Sequence, residues 1–600
     1  MSPFVRRASV RHADRLIARS VFLLTLAVYT ATFGGMPDST DAEIEFQTTS
    51  ALARRGSLAL GGTVESDLIL EWVDTHPGGA PVRPGVGARA AESYAWFGVG
   101  QAAAAVPLYA AGHLLGKLLG GLQETHRSGD YYGRPSSEYF EHMLVGFRNP
   151  LLSALTAWLM VLVVRRLGVP RRLAWLAGMS YGLTTFAWPQ ARSSLSDVQG
   201  TFLLFLAFHL ILRIRERFDR LERPSDWELA GVGATLALTF LTRVALFPAV
   251  LVLAAAVEVV LWRGHSRLAA SRWTPAGPAR VGGRRSTLLV AGPLALGLLI
   301  FLGTNLWRFG HALDSGYGTV TGDLFGASVP RGVAGLLLSP GRGLLWMAPL
   351  LVLAPVGMLR LRADGERLAG RVLVALALAI VLPVASMQGW HGAWTYGPRY
   401  LLPLLPFLWV GVAASFAWVE DVVWGRLLAV GLVGLGLMVQ LPAVLVDYNA
   451  HQDLAVQAAR VAWPDELLTS EFTSEFTSEF TDDVARTGAA PELGPRDLEE
   501  LRFGRIQWDW SFAAPWAHWR ILRHRTAGFQ GDYPLREIFH IDDDRVLNLS
   551  HPRDEGFRHL AWVDLVERLG GPRWPGVLLV LALAMAGMVL SQRGLDRAAP

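Results

Sequence analysis

Apolar positions in this 600-residue chain come mostly in long unbroken runs, not in alternation with polar ones. LLVAGPLALGLLIFLGTNLW and LLAVGLVGLGLMVQLPAVLV are each long enough, as helices, to cross a hydrocarbon core of about 30 Å. The pattern predicts an all-α polytopic membrane protein. About twelve spans (eleven to thirteen) are expected by hydropathy, near 16–35, 150–166, 173–189, 198–214, 229–242, 245–262, 287–306, 343–359, 371–387, 401–418, 427–446 and 575–591. The first follows a basic start and lacks a small-residue cleavage site, so it reads as a retained anchor. A further apolar stretch, YAWFGVGQAAAAVPLYAAGHLLGKLLG at 93–119, is rich in Gly and small residues and contains Pro107.

Charge decides how these runs are threaded. With the N-terminus inside and 93–119 not spanning, the internal loops hold twenty arginines and the short external loops six. If 93–119 spanned, every later loop would change sides and the positive-inside bias would invert. The segment is therefore expected to lie on the outer surface or to re-enter it, with its irregular backbone buried against protein or a wet cavity. This threading divides the chain into a transmembrane domain at 1–446, with a first outer loop at 36–149, an extracytoplasmic soluble domain at 447–574, and a final helix and cytoplasmic tail at 575–600. Three tandem SEFT copies at 470–481 read as a low-complexity expansion.

Composition narrows the chemistry. There is no Cys, which excludes disulfides, thiolate zinc sites and cysteine nucleophiles. The net charge of +4 comes from loop arginines and marks no nucleic-acid surface. The near-exclusive use of Arg over Lys suits a GC-rich, bacterial source.

The informative polar residues fall on one expected face. The first outer loop supplies Asp38, Asp41, Glu43 and Glu45. Later outer turns supply Arg192, Ser196 and Asp197, then Arg243, then Arg308, His311 and Asp314, then Arg342, and finally His391, Tyr396 and Arg399. Ionised groups at the edge of a bundle must be paired or line a wet cavity. Arginine matches phosphate oxygens with a planar fork, and a carboxylate can take the proton of an attacking hydroxyl. Each feature also has a plain structural reading. PDST-DAE and SLSD are helix-cap patterns, acids in a first turn suit the helix dipole, Arg399 could snorkel, and Trp390, Trp394 and Tyr396 could form an interfacial belt. Glu43 and Glu45 read as first-turn helix acids. No His/Asp spacing has metal-ligand specificity, and Asp542 to Asp544 read as a turn.

Four stretches together resemble the GT-C-fold glycosyltransferases, the superfamily of the protein O-mannosyltransferases and aminoarabinose transferases, and are most similar to the glycosyltransferase-39-like proteins. They are DAEIEFQTTSALARRGSLAL, YAWFGVGQAAAAVPLY, AWPQARSSLSDVQG, and the run from NLWRFGHALDSGYG through LLLSPGRGLLW to GWHGAWTYGPRYLLPLLP. The resemblance covers residues 16 to about 446. It implies a polyprenyl-phosphate-linked sugar donor, a lipid, glycan or protein acceptor, and a site on the outer face of the cytoplasmic membrane. By register it implies Asp41 as catalytic base or metal-associated acid, with Asp38 as a second choice. It also implies Asp197 at the second acidic position and Arg399 as a donor-phosphate contact, helped by Arg243, Arg342, His391 or Tyr396. Many relatives have a second acid where this chain has Ala42. The resemblance leaves room for a divalent cation without naming its ligands. The rival reading is a lipid-linked-sugar transporter or a non-catalytic envelope scaffold. A single site requires Asp41, Asp197 and Arg399 to converge.

Overall fold

The computed structural model describes residues 12–35, 39–62, 67, 70, 82–119, 138–271, 279–316, 325–363, 366–392, 395–468, 495–527, 532–548 and 574–596. Asp38, Trp394 and the SEFT copies lie outside them. The chain runs through α1 (His12–Thr32), α2 (Thr40–Arg55), α3 (Val99–Leu118), α4 (Tyr139–Arg166), α5 (Arg171–Leu183), α6 (Ala187–Arg192), α7 (Ser196–Asp219), α8 (Asp226–Thr242), α9 (Phe247–Ser271) and α10 (Ala279–Phe309). It continues through α11 (Val329–Leu338), α12 (Leu344–Met347), α13 (Ala354–Ala363), α14 (Arg367–Ala385), α15 (Leu405–Asp421) and α16 (Val423–Leu445). The last elements are α17 (Tyr448–Ala462), α18 (Pro495–Ile506), α19 (Ala514–Thr526), α20 (Leu535–Ile538) and α21 (Trp574–Asp596). Two small sheets were not foreseen: Ser93–Ala95 pairs antiparallel with both Ala59–Leu60 and Val82–Pro84, and Tyr533–Pro534 pairs with Val546–Leu547.

Among the described residues, eight helices are long and apolar enough to cross a membrane: α1, α4, α7, α9, α10, α14, α16 and α21. The expected count of about twelve is not reached on that measure, and the reason is length. The other expected spans fold as α5, α8 and α15, of 13, 17 and 17 residues. The last, 343–359, is broken into α12, a 3-10 turn at Pro349–Leu353 and α13. A straight helix needs about 20 residues to cross a hydrocarbon core. The short helices pack into the bundle, with Leu236 of α8 and Phe407 and Trp409 of α15 fully buried.

One large apolar core joins α1, α4, α5, α7, α8, α9, α14 and α15. Near the start of α1, Asp14 is wholly buried and holds Arg165 at 2.8 Å and Arg171 at 2.7 Å. A buried carboxylate survives only with such partners. Beyond α16 a separate apolar cluster forms around Leu454, Trp463, Phe512, Ile521 and Phe539. In that C-terminal unit, Arg536 and Arg545 pair with Asp542, Asp543 and Asp544.

The segment at 93–119 contains one helix, α3, which is not among the eight. It packs against α2, α4 and α8, and glycines let it approach their backbones. A Cβ on Gly100 would stand 2.7 Å from Thr242 N, and one on Gly112 would stand 2.6 Å from Glu141 Cα. Real Cβ atoms do not come that close to backbone, so the helices would have to separate. Gly112→Leu should therefore lower stability by at least about 1–3 kcal/mol, read as a fall in melting temperature in detergent. Gly231→Ala in α8, with nothing within 4 Å of the new Cβ, should be neutral or slightly stabilising. Equal behaviour of the two variants would contradict the close packing of α3.

Candidate functional site

The first-loop helix α2 is fixed at both ends by its own sequence. Ser39 caps it, its hydroxyl accepting from Ala42 N at 3.2 Å. Gly56 closes it in the left-handed region, φ 64°, with its N–H on Leu52 O. Asp41 and Glu43 stand in the first turn and Arg54 and Arg55 in the last, each favoured by the helix dipole. Because Ser39 does the capping, Asp41 is free to point elsewhere. Its Oδ2 meets Arg399 Nη1 at 3.5 Å.

Asp197 arrives from the start of α7, and it is not a cap: the N-cap position is Leu195, which makes no side-chain cap. The carbonyls just ahead of it are held from outside. Asn149 Nδ2 donates to Ser193 O at 2.5 Å and Leu195 O at 2.9 Å, and Gln101 Nε2 donates to Ser194 O at 3.0 Å. Asp197 is fully buried, and its Oδ2 lies 3.0 Å from Arg243 Nη1. Arg243 sits where α8 breaks into a 3-10 turn. Removing its charge would leave a buried carboxylate uncompensated, a loss of about 3–5 kcal/mol.

The two acid–arginine pairs share a centre. The Arg399 guanidinium lies 5.0 Å and the Arg243 guanidinium 5.2 Å from the ring centre of Tyr400. Arg399 Nη2 also donates to the Tyr400 hydroxyl at 3.3 Å. Burial opposes the charge on Arg399, but Tyr400, Asp41 and Asp197 outweigh it and hold the group firmly cationic. Among the described residues, two buried atoms in the cluster find no hydrogen-bond partner, Arg399 Nε and Asp197 Oδ1. The site thus has a spare donor and a spare acceptor.

The remaining expected residues stand apart from that centre in different ways. Arg342 is fully buried and bonds to His391 O, Gly397 O, the Tyr448 hydroxyl and Gln507 Oε1. The His391 ring packs on Phe503, and burial, together with Arg342 and Arg399, pushes its pKa down to about 3. It is a neutral imidazole at physiological pH. Tyr396 donates its hydroxyl to Val439 O at 3.1 Å. Asp38 lies outside the described residues.

Glu45 is the residue that sequence reasoning misread. It is not a first-turn acid. It lies one helical turn beyond Asp41, buried, where it bonds to Ser196 and Gln101 and feels Arg148, Asp41 and Asp197. The i, i+4 spacing from Asp41 was the available signal. Glu45 also lines a small cavity with Gln101, His142, Arg148 and Ser194. Glu43 faces another way and pairs with His142 Nε2 at 3.0 Å. Among the described residues, no group of three His, Asp or Glu side chains could hold a metal ion. Asp41 and Asp197 each face an arginine, which does not suit a cation site between them.

Burial pushes the Glu45 carboxyl up to about 8; Arg148 and Ser196 pull it down, while Asp41 and Asp197 raise it further. A carboxyl whose folded pKa exceeds its unfolded value binds more protons in the folded state. Its contribution to stability is complete below about 4.5 and is lost as pH rises towards 8. Glu45→Gln keeps the shape and cannot ionise. The variant should gain melting temperature relative to the parent between pH 5 and pH 9, on the order of that titration window. Parallel melting curves for the two proteins across that range would mean that Glu45 does not titrate there.

Comparison with known proteins gives one family match. Residues 108–303 match the model of the family described as dolichyl-phosphate-mannose-protein mannosyltransferase. That region holds Asp197 and Arg243 and lies between Asp41 and Arg399 in sequence. No curated protein matches the chain. Among solved structures, the apo oligosaccharyltransferase of Archaeoglobus fulgidus is 12% identical with a TM-score of 0.37, covering 79% of this chain and 60% of that one. The chain therefore spans about 60% of that protein's length. ArnT of Cupriavidus metallidurans bound to undecaprenyl phosphate is 12% identical with a TM-score of 0.40, covering 97% of this chain and 77% of that one. The matched segment, 108–303, is similar to that family and agrees with the GT-C resemblance of the four sequence stretches.

Proposed function

We propose that the chain transfers a sugar from a polyprenyl-phosphate carrier to a hydroxyl-bearing lipid, glycan or protein acceptor, on the outer face of the cytoplasmic membrane. One observation carries this reading: two acid–arginine pairs, from four separate parts of the chain, meet around the ring of Tyr400. Asp41 is the half-exposed acid of the set and takes the role of general base. It accepts the proton of the acceptor hydroxyl as the acceptor oxygen bonds to the anomeric carbon. The bond from that carbon to the phosphate oxygen breaks, and its electron pair stays on the phosphate. The carrier leaves as a phosphate monoester with one more negative charge. A phosphate is a stable leaving group and needs no general acid, only a place for its charge. Arg399, with its unused Nε–H, and Arg243 supply that place. Asp197 is the fixed counter-charge that keeps Arg243 at the site.

The test is sugar transfer by the purified full-length protein, with a panel of polyprenyl-phosphate sugars. Asp41→Asn should lower kcat by about 10²–10⁴-fold, the usual worth of a general base, while the protein still elutes as a folded species. Arg399→Gln should weaken binding of a short prenyl phosphate. Full activity in Asp41→Asn would remove Asp41 as the base. A parent protein that turns over no donor would favour the scaffold, and one that moves the intact lipid-linked sugar across vesicles would favour the transporter.

A further inference from the structure

One buried arginine ties the C-terminal unit to the loop that carries Arg399. Arg342 lies in the turn between α11 and α12 and is wholly buried. On one side its Nη2 donates to the Tyr448 hydroxyl at 2.7 Å and its Nε to Gln507 Oε1 at 3.1 Å. Gln507 belongs to the C-terminal unit, and Tyr448 opens α17, the helix that leads into it, with its ring in the core of the bundle. The turn itself is pressed against that unit: Gly341 N donates to Gln507 O at 3.0 Å, and a Cβ on Gly341 would stand 2.9 Å from Gln507 Oε1.

On the other side, Arg342 Nη1 donates to His391 O at 2.7 Å and to Gly397 O at 3.2 Å. These two carbonyls flank Arg399 in a specific way. Gly397 O is also the acceptor of the Arg399 backbone N–H, at 2.9 Å. Next to His391, Gly392 supports the stem of Arg399: a Cβ there would stand 3.1 Å from Arg399 Cγ, and its φ of 79° favours glycine. One guanidinium therefore holds two carbonyls of the loop that carries the arginine that meets Asp41, one of them the acceptor of that arginine's own N–H. The ring of His391 against Phe503, 4.7 Å between centres, adds a second tie from the same unit.

The geometry points to Arg342 as a positioning residue: it braces Arg399 against the C-terminal unit through Tyr448 and Gln507, so that this unit sets the reach of the phosphate-binding arginine. Arg342 is wholly buried and its Nε, Nη1 and Nη2 each donate to a protein oxygen, which suits a brace. The inference rests on the proposed role of Arg399, and its test separates the two.

The probe is a short prenyl phosphate, titrated onto the full-length protein in detergent, with no sugar donor needed. Tyr448→Phe keeps the ring and removes only the hydroxyl. It should weaken prenyl phosphate about tenfold or more, the scale of one lost hydrogen bond to a charged group. Gln507→Ala should do the same and is the second variant, should Tyr448→Phe fail to fold. The decisive readout is a double-mutant cycle. In an Arg399→Gln background, Tyr448→Phe should cost little further affinity, because the residue that it positions is gone. If Arg399→Gln weakens binding while Tyr448→Phe and Gln507→Ala do not, the brace is overturned and the phosphate role of Arg399 stands. Losses that add fully in the double variant also overturn it. If Arg399→Gln itself binds as the parent does, the phosphate role fails first.

Discussion

A charge at the rim of a membrane bundle is tolerated only when another charge answers it, and here that constraint organises the site. Asp41 and Asp197 lie on helices separated by more than a hundred residues, and each is met by an arginine from yet another segment. Arg399 comes from the turn before α15 and Arg243 from the break after α8. Neither arginine could be held so deeply without its acid, nor could Asp197 stay ionised without Arg243. Tyr400 fills the space between the two guanidiniums and offers its ring face to both. The surrounding architecture serves this meeting. Ser39 and Gly56 fix α2, Asn149 and Gln101 hold the chain ahead of Asp197, and Gly100 lets α3 close over both.

Much of this was legible in the chain. The long apolar runs give the helical bundle, and the scarcity of arginine in the short outer turns singles out Arg243 and Arg399. Their partnership with particular acids was not legible, because it depends on which helices become neighbours. The span count was less legible for a related reason. Hydropathy marks α8 and α15 as apolar but does not fix where each helix ends, and both stop at 17 residues. Glu45 was hidden by its neighbours: four acids in eight residues look like one solvated patch, and only their partners in the fold separate Asp41 and Glu45 from Glu43 beside His142. Arg342 and Arg399 look alike in sequence, each an arginine in a Gly-Pro-containing outer turn. The fold bonds the first on every nitrogen to a protein oxygen and, among the described residues, leaves the Nε of the second without a partner.

The C-terminal unit carries the least recognisable sequence of the chain. It has its own apolar core around Trp463, Phe512 and Phe539, yet it is knitted to the bundle by Trp519 to Met438 O, by the Trp346–Trp510 pair and by the bonds of Arg342. Such ties involve aromatic faces and backbone carbonyls. They leave no sequence pattern beyond a high tryptophan content.

The contact between Arg399 and Asp41 has a consequence for coupling. A guanidinium that meets a carboxylate and must also take a phosphate is shared between two anions. On the proposed reading, Arg399 is the shared group: Asp41 holds it in the empty site, and the carrier phosphate competes for it on arrival. Binding of the carrier and exposure of Asp41 to the acceptor hydroxyl are then coupled through one ion pair.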